Sequence, residues 1–198
     1  MSLESTTPIF DSICSRVPWC RRDVLNSLLE LAIEIAREGR EGRRIGTLFT
    51  IGHADEVMTR SRPLILDPLA GHVPHRTSIF DANLRGTVKE LAQLDGAFVV
   101  SDEGVVISAA RYIDATSASL SVPLGLGSRH MAAASVSKQT AAVAVAVSES
   151  SMVRMFDDGE LVSEIIPELW MFDGYTSRLQ GETYTRREED ITVIGRAE

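Results

Sequence analysis

Two short runs leave this chain few ways to fold. Ile45-Gly46-Thr47-Leu48-Phe49-Thr50-Ile51 and Ala141 to Val147 have strand length but almost no polar alternation. A strand of that kind is buried on both faces and needs cover above and below. The cover is visible in the same sequence. Arg22 to Arg37 repeats Leu25, Leu28, Leu29, Ala32, Ile33 and Ala36 on one helical face, with Gly39 and Gly42 as its stop. Asp81 can cap a second helix, Ala82 to Gln93, with Leu84, Val88, Leu91 and Ala92 inward. A third begins at Ser128 or Arg129 and reaches about Lys138.

The remaining apolar segments are short and joined by turns. Ala97–Val100 and Val105–Tyr112 flank Asp102-Glu103-Gly104, a hairpin signature. Met152–Phe156 and Leu161–Ile166 flank Asp157-Asp158-Gly159 in the same way. Leu64-Ile65-Leu66 is a brief strand candidate after a polar loop from Gly52 to Arg62. Residues 1–21 read as a lead-in, and 171–198 as a polar C-terminal extension. There Thr185 to Asp190 is expected to be solvated, and Ile191 to Ile194 to add an edge strand or pack loosely. The expected architecture is α/β, a single layered domain with a mixed central β-sheet flanked by helices.

Composition narrows the function classes. Of the 198 residues, 24% are charged and 44% hydrophobic, which excludes disorder, collagen and disulfide scaffolds. A net charge of −8 without a Lys/Arg-rich run opposes nonspecific duplex binding. It leaves a nucleotide ligand open, because a pocket needs only a few placed cations. No apolar stretch approaches the roughly 20 residues of a membrane span, and Met1 to Asp11 lacks the pattern of a signal peptide. A cytoplasmic location is expected. Cys14 and Cys20 read as buried thiols, being too few for a structural zinc site. His72 and His75 read as loop residues, since Pro74 opposes a helix that would align them.

Three segments carry chemistry. Leu94-Asp95-Gly96-Ala97 places a carboxylate where a helix gives way to a strand, beside a glycine that admits a ligand to the backbone. Alone, Asp-Gly there is also an ordinary turn. Gly125-Leu126-Gly127-Ser128-Arg129-His130-Met131-Ala132-Ala133-Ala134 runs a glycine loop into a helix start. Open N–H groups and the positive end of the dipole there favour phosphate. Ser128 can cap the helix or donate to a phosphate oxygen, Arg129 offers a planar fork, and His130 can donate a hydrogen bond or orient a neighbour. The loop matches neither a Walker A motif nor a dinucleotide fingerprint. Ser148-Glu149-Ser150 follows a buried strand, at the kind of strand end where α/β proteins hold ligands, and Glu149 is a candidate oxygen ligand for a hard cation.

In that order, Asp-Gly-Ala, then Gly-x-Arg-His-x-Ala-Ala, then Ser-Glu resembles the diadenylate cyclase domain of the DisA N-terminal type. The resemblance takes in roughly residues 22–170. It is similar in flavour to the stand-alone archaeal members, without the membrane helices or DNA-binding modules of bacterial classes. It implies condensation of two ATP molecules into cyclic di-AMP with release of two pyrophosphates. It implies Asp95, Arg129 and His130 as catalytic residues, and ATP contacts from Gly96, Ala97, Gly127, Ser128, Arg129, Ser148 and Glu149. It further implies a divalent metal, Mn²⁺ or Mg²⁺, at Asp95 and Glu149, and a face-to-face homodimer or higher homo-oligomer. No DNA or membrane partner is expected. One position departs: the family pattern reads Arg-His-Arg, and here Met131 replaces the second arginine. Lys138 or another cation would then compensate, or phosphate is held more weakly. A noncatalytic nucleotide sensor on the same fold is the other reading, against which stand the intact Asp95 and Arg129.

Overall fold

The computed structural model describes residues 14–15, 17–115 and 126–167, together with the backbone of 183–188 and 191–196. Helix α1 (Arg22–Glu38) buries the whole apolar face read from its period, and Val24, Leu31 and Ile35 widen that stripe. Gly39 ends it in the left-handed region, at φ +55°, with its N–H returned to the Ile35 carbonyl.

Seven strands form one sheet: β1 (Thr47–Ile51), β2 (Ser61–Pro63), β3 (Ala97–Val100), β4 (Val106–Ile113), β5 (Val143–Val147), β6 (Val153–Asp157) and β7 (Glu160–Ile165). Their order is β2-β4-β3-β1-β5-β6-β7. β1 and β3 are parallel and every other neighbouring pair is antiparallel, so the sheet is mixed. Among the described residues the further α-helices are α2 (Ala54–Thr59), α3 (Ala82–Leu91) and α4 (Ser128–Thr140).

The pleat divides the strand side chains between two cores, the second richer in alanine. Phe49, Ile51, Phe98, Val100, Val145 and Val147 share a core with α1, and the Phe49 and Phe98 rings stack at 5.0 Å. Leu48, Ala97, Val99, Ala144 and Ala146 face the other way, into a core with Val57 of α2 and Ala133, Ala134 and Val136 of α4. Helix α3 starts where expected, the Asp81 carboxylate accepting from the Asn83 and Leu84 N–H groups at 2.7 and 3.4 Å. It docks on the polar side of α1, where Lys89 bridges Glu34 and Glu38, each at 2.9 Å.

Several sequence expectations need correction. The segment Gly52–Arg62 is not simply a loop, because α2 occupies its middle. Its six residues are too few to show a period, and Val57 alone is buried. The strand expected at Leu64–Leu66 lies earlier, at Ser61–Pro63, where it pairs with β4, and Leu66 is left 94% exposed. In the C-terminal extension Thr183–Glu188 and Ile191–Arg196 pair as strands β8 and β9 of a separate two-stranded sheet, so the strand expected at Ile191–Ile194 is present but is not an edge strand of the central sheet. Cys14 and Cys20 are buried and not bonded to each other. Burial, with Asp102 next, pushes the Cys20 thiol up to about 12 and leaves it inert.

Candidate active site

Strand registers gather the three chemistry-bearing segments at one end of the sheet. Leu48 pairs with Ala97 and Thr47 with Val147, so the start of β1, the Asp95-Gly96 turn before β3 and the Ser148 turn after β5 are neighbours. A cleft of about 510 Å³ opens there. Asp95 and Gly96 line its base beside Leu48. Ser128, Arg129, Met131 and Ala132 of α4 form one wall, and Leu64, Arg111, Tyr112 and Ile113 belong to the other.

Gly96 is obligatory where it stands. Its φ is +111°, and a Cβ would meet the Ala110 carbonyl carbon at 2.6 Å and the Arg111 nitrogen at 2.7 Å. The crowding comes from a bulge in β4: the pairing slips between Ala97–Arg111 and Val99–Ser108, and Ala110 sits at φ +53°. The bulge brings β4 against the turn and leaves the Asp95 carboxylate exposed in the cleft.

Helix α4 starts without a side-chain cap. Gly127 is the N-cap, and its carbonyl accepts from the His130 and Met131 N–H groups at 3.0 and 3.3 Å. Ser128 is the first helical residue rather than the cap, so its hydroxyl and the first N–H groups of the helix are available to a ligand. Arg129 folds back over Gly46, the residue before β1. A Cβ on Gly46 would fall 2.2 Å from its Nη1, so the guanidinium lies on bare glycine backbone. Alanines make this approach possible, since Ala133 and Ala134 of the helix share a core with Ala144 and Ala146 of the sheet.

His130 points away from the cleft. The residue is 6% exposed, and its Nε2 lies 3.2 Å from Nη1 of Arg154, which as a guanidinium can only donate. Arg154 is in turn held by Glu164 at 2.6 Å. The His130 Nδ1 is buried without a partner among the described residues. Burial, reinforced by the Arg154 and Arg129 charges and opposed by Glu164, holds this imidazole below its ordinary pKa.

The structure thus brings Asp95, Gly96, Ser128 and Arg129 to one cleft, with Ala97 buried beneath it and Gly127 at its edge. Ser148 and Glu149 share the sheet end but do not line the cleft. Ser148 is buried in the β5–β6 turn, bonded to Ser150 and Met152, and Glu149 is exposed. Met131 is at the cleft, 36% exposed. Lys138 is on the last turns of α4, paired with Asp158 at 2.8 Å, and is no substitute for an arginine at 131. Sequence reasoning missed Gly46, Arg111 and Tyr112. The signal for the first was a glycine in the apolar run Ile45–Ile51, which marks close approach of another group. His72 and His75 are exposed around a single 3-10 turn, and no group of three metal-ligating side chains occurs among the described residues. No described helix is long and apolar enough to cross a membrane.

The DAC family model, described as DisA bacterial checkpoint controller nucleotide-binding, matches residues 34–161. A curated diadenylate cyclase of Methanocaldococcus jannaschii is 50% identical over 148 residues, covering 74% of this chain and 47% of that protein. One from Haloferax volcanii is 40% identical over 149 residues, covering 74% and 54%. The chain therefore spans about half the length of the curated relatives it matches. A crystal structure of DacA from Staphylococcus aureus aligns at TM-score 0.47 and 23% identity, covering 79% of this chain and 94% of that one. With half of its aligned residues shared with one of these cyclases and the family match spanning β1 to β6 and the cleft, the chain belongs to the DAC family of DisA-type nucleotide-binding domains.

Proposed function

We propose that this chain condenses two ATP molecules into cyclic di-AMP, releasing two pyrophosphates. The observation that carries the reading is the convergence of Asp95-Gly96 and Ser128-Arg129 on one cleft, in a family whose relatives are named diadenylate cyclase. The cleft divides as a nucleotide does. Leu48, Leu64, Tyr112 and Ile113 offer apolar surface for a base, and the α4 start with Arg129 offers donors for phosphates.

In the reaction each ribose 3′-oxygen forms a bond to the α-phosphorus of the other ATP. The bond to the β-phosphate bridging oxygen breaks, and pyrophosphate leaves with that electron pair. The 3′-hydroxyl proton goes to the Asp95 carboxylate, the acidic group lining the cleft. Arg129 and the open N–H groups of α4 stabilise the charge that builds on the α-phosphoryl oxygens. His130 works through its neighbour: buried and held by Arg154, it fixes the first turn of α4 on which Arg129 stands. It is a positioning residue.

A single cleft carboxylate suits a hard divalent cation that takes its other ligands from phosphate oxygens and water. Asp95 would hold Mn²⁺ or Mg²⁺ in that way, and Glu149, exposed at the same end of the sheet, is the second carboxylate that would serve the cation or the polyphosphate. The cation would supply positive charge to the phosphates and acidity to the 3′-hydroxyl. One cleft takes one ATP and the product joins two, so two chains meet face to face about a two-fold axis.

Incubation with ATP and Mn²⁺, followed by mass identification of the product, tests the reading. Cyclic di-AMP is expected, and Asp95→Asn is expected to lower its formation about 10²-fold or more while the chain still binds ATP. ATP binding with no cyclic product from the unaltered chain would replace the cyclase with the noncatalytic sensor that Met131 suggests. Wild-type turnover by the variant would remove Asp95 from its role.

A further inference from the structure

We infer that Arg111 is a nucleotide-anchoring residue, and that its guanidinium supplies, from the opposite wall of the cleft, a phosphate contact that Met131 is chemically unable to make. The inference rests on the ATP-site reading above. Arg111 is 8% exposed and lines the cleft. Three of its five N–H groups are committed, all to neutral oxygens. Nε donates to Ser61 Oγ at 2.9 Å, and Nη2 donates to the Ser61 and Met58 carbonyls at 2.6 and 3.2 Å. Both N–H groups of Nη1 remain without a partner among the described residues, on a side chain that lines the cleft.

The charge itself has no structural partner. Among the described residues no carboxylate pairs with Arg111, whereas the buried Arg154 has Glu164 and the exposed Lys138 has Asp158. A buried cation without a counter-ion is costly, and the bonds to Ser61 and Met58 call only for neutral donors. A neutral side chain with N–H groups would brace β4 against α2 as well. A full charge on the lining of a cleft is explained by an anion that arrives there. Arg129 on α4 is the other cleft cation without an ion pair among the described residues, so the two grip a polyphosphate from two sides. Arg111 escaped the sequence reading because one arginine in the strand Val105–Tyr112 looks like an ordinary outward residue.

The test compares a ligand with phosphates and one without, neither able to react. 3′-Deoxy-ATP lacks the attacking hydroxyl, and 3′-deoxyadenosine lacks the phosphates too. Calorimetric titration of the wild-type chain and of Arg111→Gln should show 3′-deoxy-ATP weakened about tenfold or more, as for a charged hydrogen bond, with 3′-deoxyadenosine unchanged. Equal weakening of both would make Arg111 a prop of the wall and overturn the inference. So would unchanged affinity for 3′-deoxy-ATP. If the variant does not fold, ¹⁵N-arginine spectra of the wild-type chain carry the test. The signal assigned to the Arg111 guanidinium should shift with 3′-deoxy-ATP and not with the nucleoside, and no such shift would overturn the inference. Failure of the wild-type chain to bind 3′-deoxy-ATP would sink the ATP-site reading as well, whereas normal binding by both chains sinks this inference alone.

Discussion

The two faces of the central sheet are made of different material. Toward α1 the strands present Phe49, Phe98, Val145 and Met155, all with 2% exposure or less, packed on a helix rich in leucine and isoleucine. Toward α4 the sheet presents Leu48, Val99 and Phe156 as well, but where the helix seats the strands offer Ala97, Ala144 and Ala146, and the helix answers with Ala133 and Ala134. Bulky side chains bury more apolar area per residue, so the first face carries the larger share of stability. Small ones let a helix axis come close to the sheet, and the second face uses this to seat the α4 start at the cleft. One face holds the fold together and the other sets the position of a binding loop.

That division can be broken by experiment. The largest effect is expected on the α1 face. Phe98→Ala should cost about 3–5 kcal/mol in urea unfolding, while the remaining folded chains keep their ATP affinity. Loss of affinity in proportion to stability would show that the faces are not separable. On the α4 face, Ala144→Val adds volume under the helix and should cost about 1–3 kcal/mol. Here ATP affinity should fall as well, because α4 must lift from its seat. Unchanged affinity would mean that the seat does not place the site.

The smaller effect is one of pH. The folded chain keeps the His130 imidazole neutral below its ordinary pKa of 6.5, whereas the unfolded chain takes up a proton there. The stability from the neutral form is complete above that pH and is lost as pH falls through 6.5 toward the lower folded value. Denaturation midpoints of the wild-type chain should therefore fall on acidification in this window more steeply than those of His130→Gln. Parallel profiles would free His130 from this role.

The same contrast explains what could be read without a structure. Helix α1 was legible because its leucines and isoleucines recur at helical spacing over a long stretch. In α4 alanine and serine fill both sides, so no apolar stripe marks the inward face, and only the Gly-Ser-Arg start gave it away. Asp95 and Arg129 were legible as chemistry, and the parallel pairing of β1 with β3 brings their elements together. Arg111 and Gly46 were not. Their meaning depends on which strand neighbours which, and on a bulge that no local pattern announces. The inward turn of His130 was hidden too, since its partner Arg154 comes from β6, beyond the helix.

The contact between Gly46 and Arg129 makes two distant positions a single mutational unit. A methyl group at 46 would collide only with the movable end of a side chain, so the chain should tolerate Gly46→Ala as a fold and lose the arginine's pose. The change should weaken ATP binding in the wild-type background and have no further effect once Arg129 is already alanine. Variation at this glycine is thus silent or damaging according to a residue far along the chain, and a lineage that gave up the arginine would be released from the glycine at the same moment.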